Sequence, residues 1–179
     1  MAVTEVRGEH IYLRPFKMDD KDIVLAAVND LSTAKFTGNH ETFFTMEQVE
    51  GYIQSNIEGE GRFAWIIASL DDTIVGEVVV NQMDEDNRSA SIRIALFGEQ
   101  YFGKGYGTEA MRLATGYSFE HANLHRLDLE VFDFNARALR VYEKVGFKLE
   151  GTRRDALLWE GEYYDAHIMS ILETEWPPS

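Results

Sequence analysis

A single α/β domain is predicted by three features of the sequence. Ser89 to Phe97 places apolar residues at alternate positions (Ile92, Ile94, Leu96), a glycine-rich stretch follows, and Ala110, Leu113, Ala114 and Tyr117 then recur at helical spacing. A second helix opens at Asn135, carries the stripe Ala138, Val141, Tyr142, Val145, and stops at Gly146, where a C-cap glycine belongs. Turns at Asp71-Asp-Thr, Asp84-Glu-Asp-Asn87 and Glu160-Gly-Glu162 join strand-like runs into hairpins. The 179 residues suit one domain spanning 1–179, with no internal repeat, linker or low-complexity segment.

In chain order, His10 to Phe16 forms a first strand, with Pro15 marking its end or an edge position. Asp19 and Asp20 start a helix over Lys21 to Leu31. Ser32 to Phe44 is a loop holding Phe36, Phe43 and Phe44, aromatics that either line a site or pin the loop to the core. Thr45-Met-Glu-Gln48 is a capping box for a helix reaching about Ile57. Phe63 to Leu70, Ile74 to Met83 and Ser89 to Phe97 are successive strands. A helix from Gly107 to about His121 precedes a strand at His125 to Phe132. After the Asn135 helix, Phe147 to Leu149, Arg153 to Trp159 and Tyr163 to Leu172 extend the sheet.

Hydrophobic content of 45% and charged content of 27% are ordinary for a soluble globular chain, and no apolar stretch approaches the roughly 18 residues that span a bilayer. Met1-Ala-Val-Thr-Glu-Val-Arg lacks an apolar signal core, so no export is indicated. With no cysteine, disulfides and thiol chemistry are excluded, and a cytoplasmic location is the simplest. Seventeen basic against 31 acidic residues leave a net charge of −14, which disfavours nucleic acid and attracts cations while also serving solubility. Six of the acids lie between Asp71 and Asp86 without a base among them, as a solvated face or a lure for a cationic acceptor. The five histidines show no His-x-x-x-His spacing, so no metal site is expected.

Gln100-Tyr-Phe-Gly103-Lys104-Gly105-Tyr106-Gly107-Thr108 sits between strand and helix with glycine at every second position. Bare amides and a helix N-terminus converge there, an arrangement that holds a phosphate. A P-loop is excluded because Gly105, not Ser or Thr, follows Lys104. A dinucleotide fingerprint needs its third glycine one residue later and normally opens its domain; Asp128 and Glu130 at the right distance keep it as a weak rival.

Gln100, Gly103 and Gly105 match Gln/Arg-x-x-Gly-x-Gly/Ala, and Asn135-x-x-Ala138-x-x-x-Tyr142-x-x-x-Gly146-Phe147 follows about 30 residues on. Together they resemble the two signatures of the GNAT superfamily of N-acetyltransferases. With Asn123-Leu-His-Arg-Leu and Glu150-Gly-Thr-Arg-Arg, the likeness extends over residues 8 to 173, to the ribosomal-protein-alanine and spermidine N-acetyltransferase branch. The resemblance implies a mixed, mostly antiparallel sheet of about seven strands with a splayed central parallel pair, flanked by about four helices. It also implies a homodimer and acetyl-CoA as cosubstrate, without a metal. The coenzyme's pantetheine arm would extend the pairing of Ile94, Leu96 and Phe97. Amides from Phe102 to Thr108 would take the pyrophosphate. Asn135 would bond the arm beside Ala138, and Tyr142 would protonate the departing thiolate.

Lys104 reaches a phosphate or sits in solvent, and Arg140 and Lys144 are the candidates for the 3′-phosphate end, or simply answer a helix dipole. The predicted reaction is direct attack of a primary amine on the thioester: a polyamine, a protein N-terminus or another small amine. An alkylammonium of pKa about 10.4 must first lose a proton, an N-terminal amine of about 8 less so. Many relatives place a glutamate in the strand before the loop as Ala-Glu-Ile-Gly, where this chain has Ala90-Ser91-Ile92-Arg93. Glu77 is the first substitute as base, followed by Glu130 and Asp165, and Arg93 pairs with one of them. The missing carboxylate also leaves room for a non-catalytic acyl-CoA sensor, and the dinucleotide rival for an oxidoreductase.

Overall fold

The computed structural model describes residues 3–40 and 43–177. Eight strands form one sheet: β1 (Val6–Arg7), β2 (Ile11–Pro15), β3 (Phe63–Ser69), β4 (Ile74–Asp84), β5 (Ser89–Leu96), β6 (Arg126–Phe132), β7 (Lys148–Trp159) and β8 (Glu162–Leu172). Five α-helices accompany it: α1 (Lys21–Val28), α2 (Leu31–Thr37), α3 (Met46–Glu58), α4 (Tyr106–Glu120) and α5 (Ala136–Val145). The sheet order is β1-β2-β3-β4-β5-β6-β8-β7, antiparallel except between β5 and β6.

That exception positions the site. α4 carries the chain from the end of β5 back to the start of β6, so the two run parallel. They pair only at Ser89 with Arg126, Ala90 with Leu127 and Ser91 with Asp128. Beyond Ser91, β5 keeps its bonds to β4 as far as Leu96, and β6 keeps its bonds to β8 as far as Phe132. A gap therefore opens within the sheet.

Strand periodicity divides the core between the two faces. On β3, Phe63, Trp65 and Ile67 pack with Val78, Val80, Met111, Leu127, Val145 and Met169 on the side of α4 and α5. The intervening Ala64 and Ile66 turn to the other face, with Val79, and meet Val24 of α1 and Val49 and Ile53 of α3. The capping box forms as the sequence predicts: the Thr45 hydroxyl accepts from the Gln48 amide at 3.3 Å, and Gln48 accepts the Thr45 amide at 2.8 Å.

Three details differ from the sequence reading. The first helix stops at Val28, because Asn29 pairs with the backbone of Phe44, donating to its carbonyl at 3.0 Å and accepting its N–H at 2.6 Å. Part of the expected loop is then the helix α2, capped by Asp30 and closed by Gly38 in the left-handed region. β7 is one continuous strand with register shifts at Leu149/Gly151 and Arg153/Leu157, where two segments were expected.

An acid-sensitive link joins β6 to β7. The Arg126 guanidinium donates twice to Glu150, each bond at 2.7 Å, and the Ser170 hydroxyl adds a third at 2.6 Å. These bonds hold the Glu150 carboxyl at about 2 against an ordinary 4.5. A depressed carboxyl stabilises the fold above its unfolded value and loses that contribution as pH falls through the folded one. The urea midpoint of the wild type should therefore fall further between pH 5 and pH 2.5 than that of Glu150→Gln. Parallel curves would remove this link as a cause.

Candidate active site

The glycine loop presents a row of free amides. A short turn at Glu99–Tyr101 uses the amides of Tyr101 and Phe102 on the carbonyls of Gly98 and Glu99, at 3.2 and 3.0 Å. The first helical bond of α4 runs from the Glu109 amide to Gly105 at 3.1 Å. Between them, the N–H groups of Gly103, Lys104, Gly105, Tyr106, Gly107 and Thr108 have no acceptor among the described residues, and the last three lie in the first turn of a helix. The Phe102 amide, expected in this set, is already bonded. Gly103 and Gly105 have φ of +71° and +83°, and a Cβ on either would meet nothing within 4 Å, so backbone conformation rather than space requires glycine there.

From this loop a cleft of about 1080 Å³ runs into the gap in the sheet. Ile94, Leu96 and Phe97 form one wall, Leu129 to Phe132 the other, and α2, α3 and α5 close it. Gly107, Ala138 and Tyr142 line it as well. Asn135 caps α5, its Oδ1 accepting the Ala138 amide at 3.2 Å, and is buried close by. Tyr142 is buried, no described residue hydrogen-bonds its hydroxyl, and burial pushes that group up to about 12 although Arg137 pulls it down.

Gln100 and Lys104 are exposed at the rim, while Tyr106 and Thr108 are half-buried in the first turn of α4. Arg140 and Lys144 are exposed as well. They stand two residues either side of Tyr142, which on a helix is the opposite face.

The other end of the cleft holds a network of which the sequence reading named Glu77 and a pairing for Arg93 but not Tyr52. Glu77 of β4, opposite β5, is 5% exposed. Its Oε1 accepts from Arg93 Nη1 at 2.8 Å and from the Tyr52 hydroxyl at 2.9 Å, and Arg93 Nη2 donates to that hydroxyl at 2.5 Å. Glu77 Oε2 is buried without a hydrogen-bond partner among the described residues. Burial, then the charge of Glu77, pushes the Tyr52 hydroxyl far above its usual value. Burial alone would depress the Arg93 guanidinium, but Glu77 and Tyr52 outweigh it and hold it above its usual value.

The two other base candidates are committed elsewhere. Glu130 accepts from Arg153 at 2.6 Å, and Asp165 accepts the Asp155 amide at 2.9 Å and does not line the cleft. Of the six acids from Asp71 to Asp86, only Glu77 lines the cleft; Asp72 accepts from the Tyr12 hydroxyl at 2.6 Å, and Asp71 and Asp84 bond within their own turns. Arg137 also escaped the sequence reading as a site residue, while Phe36, one of the aromatics expected to line a site or pin the loop, lines the cleft. The Arg137 guanidinium lies 3.2 Å from the centre of the Phe102 ring and 5.3 Å from that of Phe36, tying α5, the glycine loop and α2 together across the cleft.

The acetyltransferase (GNAT) domain model matches residues 10–148, more than half of the chain. The chain belongs to the GNAT acetyltransferase family. Its GNAT relatives include an uncharacterized N-acetyltransferase, p20, of Bacillus licheniformis, 27% identical over 94% of this chain and 96% of its own length. The spermidine N(1)-acetyltransferase of Escherichia coli K12 is 28% identical over 93% of this chain and 88% of its own. The solved spermidine N-acetyltransferase of Vibrio cholerae, in complex with CoA and spermine, has the same GNAT fold, with a TM-score of 0.86, 23% identity and coverage of 93% and 98%. The GNAT relatives are N-acetyltransferases by name, consistent with an acyltransferase. Among the described residues no helix is long and apolar enough to cross a membrane.

Proposed function

We propose that this protein transfers an acetyl group from acetyl-CoA to a primary amine bound in the same cleft. One observation carries the reading: a cleft lined by Gly107 of a loop with six free amides is lined as well by Tyr142 and Glu77, whose hydroxyl and Oε2 have no hydrogen-bond partner among the described residues.

The amides of Gly103 to Thr108 fit the coenzyme's pyrophosphate without a metal. The unpaired edge of β5 from Ile94 to Phe97 suits the amides of its pantetheine arm. Arg140 and Lys144, on the solvent side of α5, suit its 3′-phosphate end better than its reactive end. Glu77 Oε2 takes a proton from the acceptor ammonium, and Tyr142 gives one to the departing sulfur. The nitrogen's second proton, lost as the amide forms, restores the tyrosine hydroxyl, and most of the acceleration comes from holding amine and thioester together. A cytoplasmic homodimer belongs to the same reading, supported by the family and by the cysteine-free composition.

Release of free CoA thiol from acetyl-CoA, screened over amines of different class, tests the proposal. Thiol release that needs both the amine and Tyr142 is the expected result. Silence with every amine, while acetyl-CoA still raises the melting temperature, would favour a sensor of the coenzyme. The loop makes its own prediction. Gly105→Val puts a β-branched residue at φ +83°, costing about 1–3 kcal/mol of strain or moving the amides, so acetyl-CoA affinity should fall about tenfold or more by calorimetry. Unchanged affinity would remove the loop from the phosphate site.

A further inference from the structure

We propose that Arg93 makes the acceptor end of the cleft selective for an amine whose adjacent carbon carries a carboxylate or an amide carbonyl: an α-amino acid or the first residue of a peptide. This rests on the amine-acetylating reading above and narrows it. The alternative is an amine with further ammonium groups and no oxygen, a polyamine.

The charges of the cleft decide between them. Among the described residues four acids and three arginines (Arg93, Arg137 and Arg153) line it, and each acid already accepts a hydrogen bond. Asp30 accepts the Ser32 amide at 2.9 Å, Asp128 accepts from the Ser91 hydroxyl at 2.7 Å and faces Arg126 at 3.7 Å, and Glu130 is bonded to Arg153 at 2.6 Å. Glu77 Oε2 alone is buried without a partner. The described lining therefore carries one negative charge in excess, which a single ammonium balances, and a second or third positive charge on the ligand would stand among three arginines without a further excess carboxylate.

Beside Glu77 is a matching site for oxygen. Arg93 has five N–H donors, and two are used, one on Glu77 and one on Tyr52. The side chain is 45% exposed and lines the cleft, and its three other N–H groups have no acceptor among the described residues. Because Nη1 rests 2.8 Å from Glu77 Oε1, an oxygen on Arg93 and an ammonium on Oε2 belong to neighbouring atoms of one ligand. An α-amino group and its carboxyl carbon have that spacing, and an isolated alkylamine has no atom to offer. The cation also favours the neutral, nucleophilic form of an adjacent amine.

The test compares kcat/KM, by thiol release with mass-spectrometric confirmation of the product, for free amino acids, peptides with amidated C-termini, spermidine and propylamine. The wild type should favour the first two classes over the last two by about tenfold or more. In Arg93→Gln, the ratio of α-amino substrate to propylamine should fall about ten- to a hundredfold, the range of a charged hydrogen bond, and Arg93→Lys should recover part of it. A larger fall for free acids than for peptide amides identifies a carboxylate ligand, and an equal fall identifies the carbonyl. A role confined to holding Glu77 would depress every acceptor together and leave the ratio unchanged, which would overturn the proposal. So would a wild-type preference for spermidine. Absence of turnover with any amine overturns this proposal and the acetylation reading together, whereas turnover confined to spermidine and propylamine overturns this one alone.

Discussion

Tyr142→Phe should lower kcat by about a hundredfold or more, the usual size of a general-acid contribution, while acetyl-CoA affinity changes by no more than about twofold. The change removes one oxygen and keeps the ring. That ring fills a buried position beside Phe147, with centroids 6.2 Å apart, so packing and the position of α5 should survive. Burial pushes the hydroxyl up to about 12, which keeps it protonated through neutral and mildly alkaline pH. Any rise of rate with pH should then follow deprotonation of the amine, and Tyr142 should impose no falling limb below about pH 11. Single-turnover kinetics beside calorimetric titration of acetyl-CoA would separate the two quantities. An equal loss of binding and turnover would make Tyr142 a packing residue only.

The largest stability effect should come from Trp65→Ala, at about 3–5 kcal/mol. Trp65 is fully buried in the middle of β3, 5.0 Å from the Tyr117 ring and 6.2 Å from that of Phe63. Its indole N–H donates to the Thr4 carbonyl at 3.0 Å, fastening the N-terminal segment across the sheet. Alanine would leave a cavity between sheet and α4 and also free that carbonyl. Trp65→Phe should cost less, since it restores much of the volume but not the donor. Urea unfolding with an unchanged slope would give the difference as a shift of midpoint. A loss below about 1 kcal/mol for alanine would mean that the core closes over the gap.

How far the sequence disclosed these features depends on the reach of each signal. The glycine loop and the Asn135-to-Phe147 helix are local arrangements whose residues are neighbours in the chain, and both were legible. α2 was not, because none of its residues is buried and it therefore has no apolar stripe; its only marks are the caps Asp30 and Gly38. The Phe102 amide could not be known to be spent before the turn at Glu99–Tyr101 was seen. The Glu77–Arg93–Tyr52 network joins β4, β5 and α3, and only β-sheet register brings the first two together. Sequence reading could name Glu77 and a partnership for Arg93. Tyr52 lay within a helix whose amphipathic pattern gave it no distinction.

The parting of β5 from β6 has a thermodynamic side. Three register pairs connect the half-sheet β1–β5 to the half-sheet β6, β8, β7, and beyond them the facing backbone edges must be satisfied by something other than each other. Until a ligand lies there, solvent does this, and the bonds that would ordinarily weld two central strands are missing from the folding free energy. A molecule with amides of its own would act as a substitute strand segment, so that affinity and resistance to unfolding would come from the same hydrogen bonds. The architecture thus couples cohesion of the sheet to occupancy of its own interior.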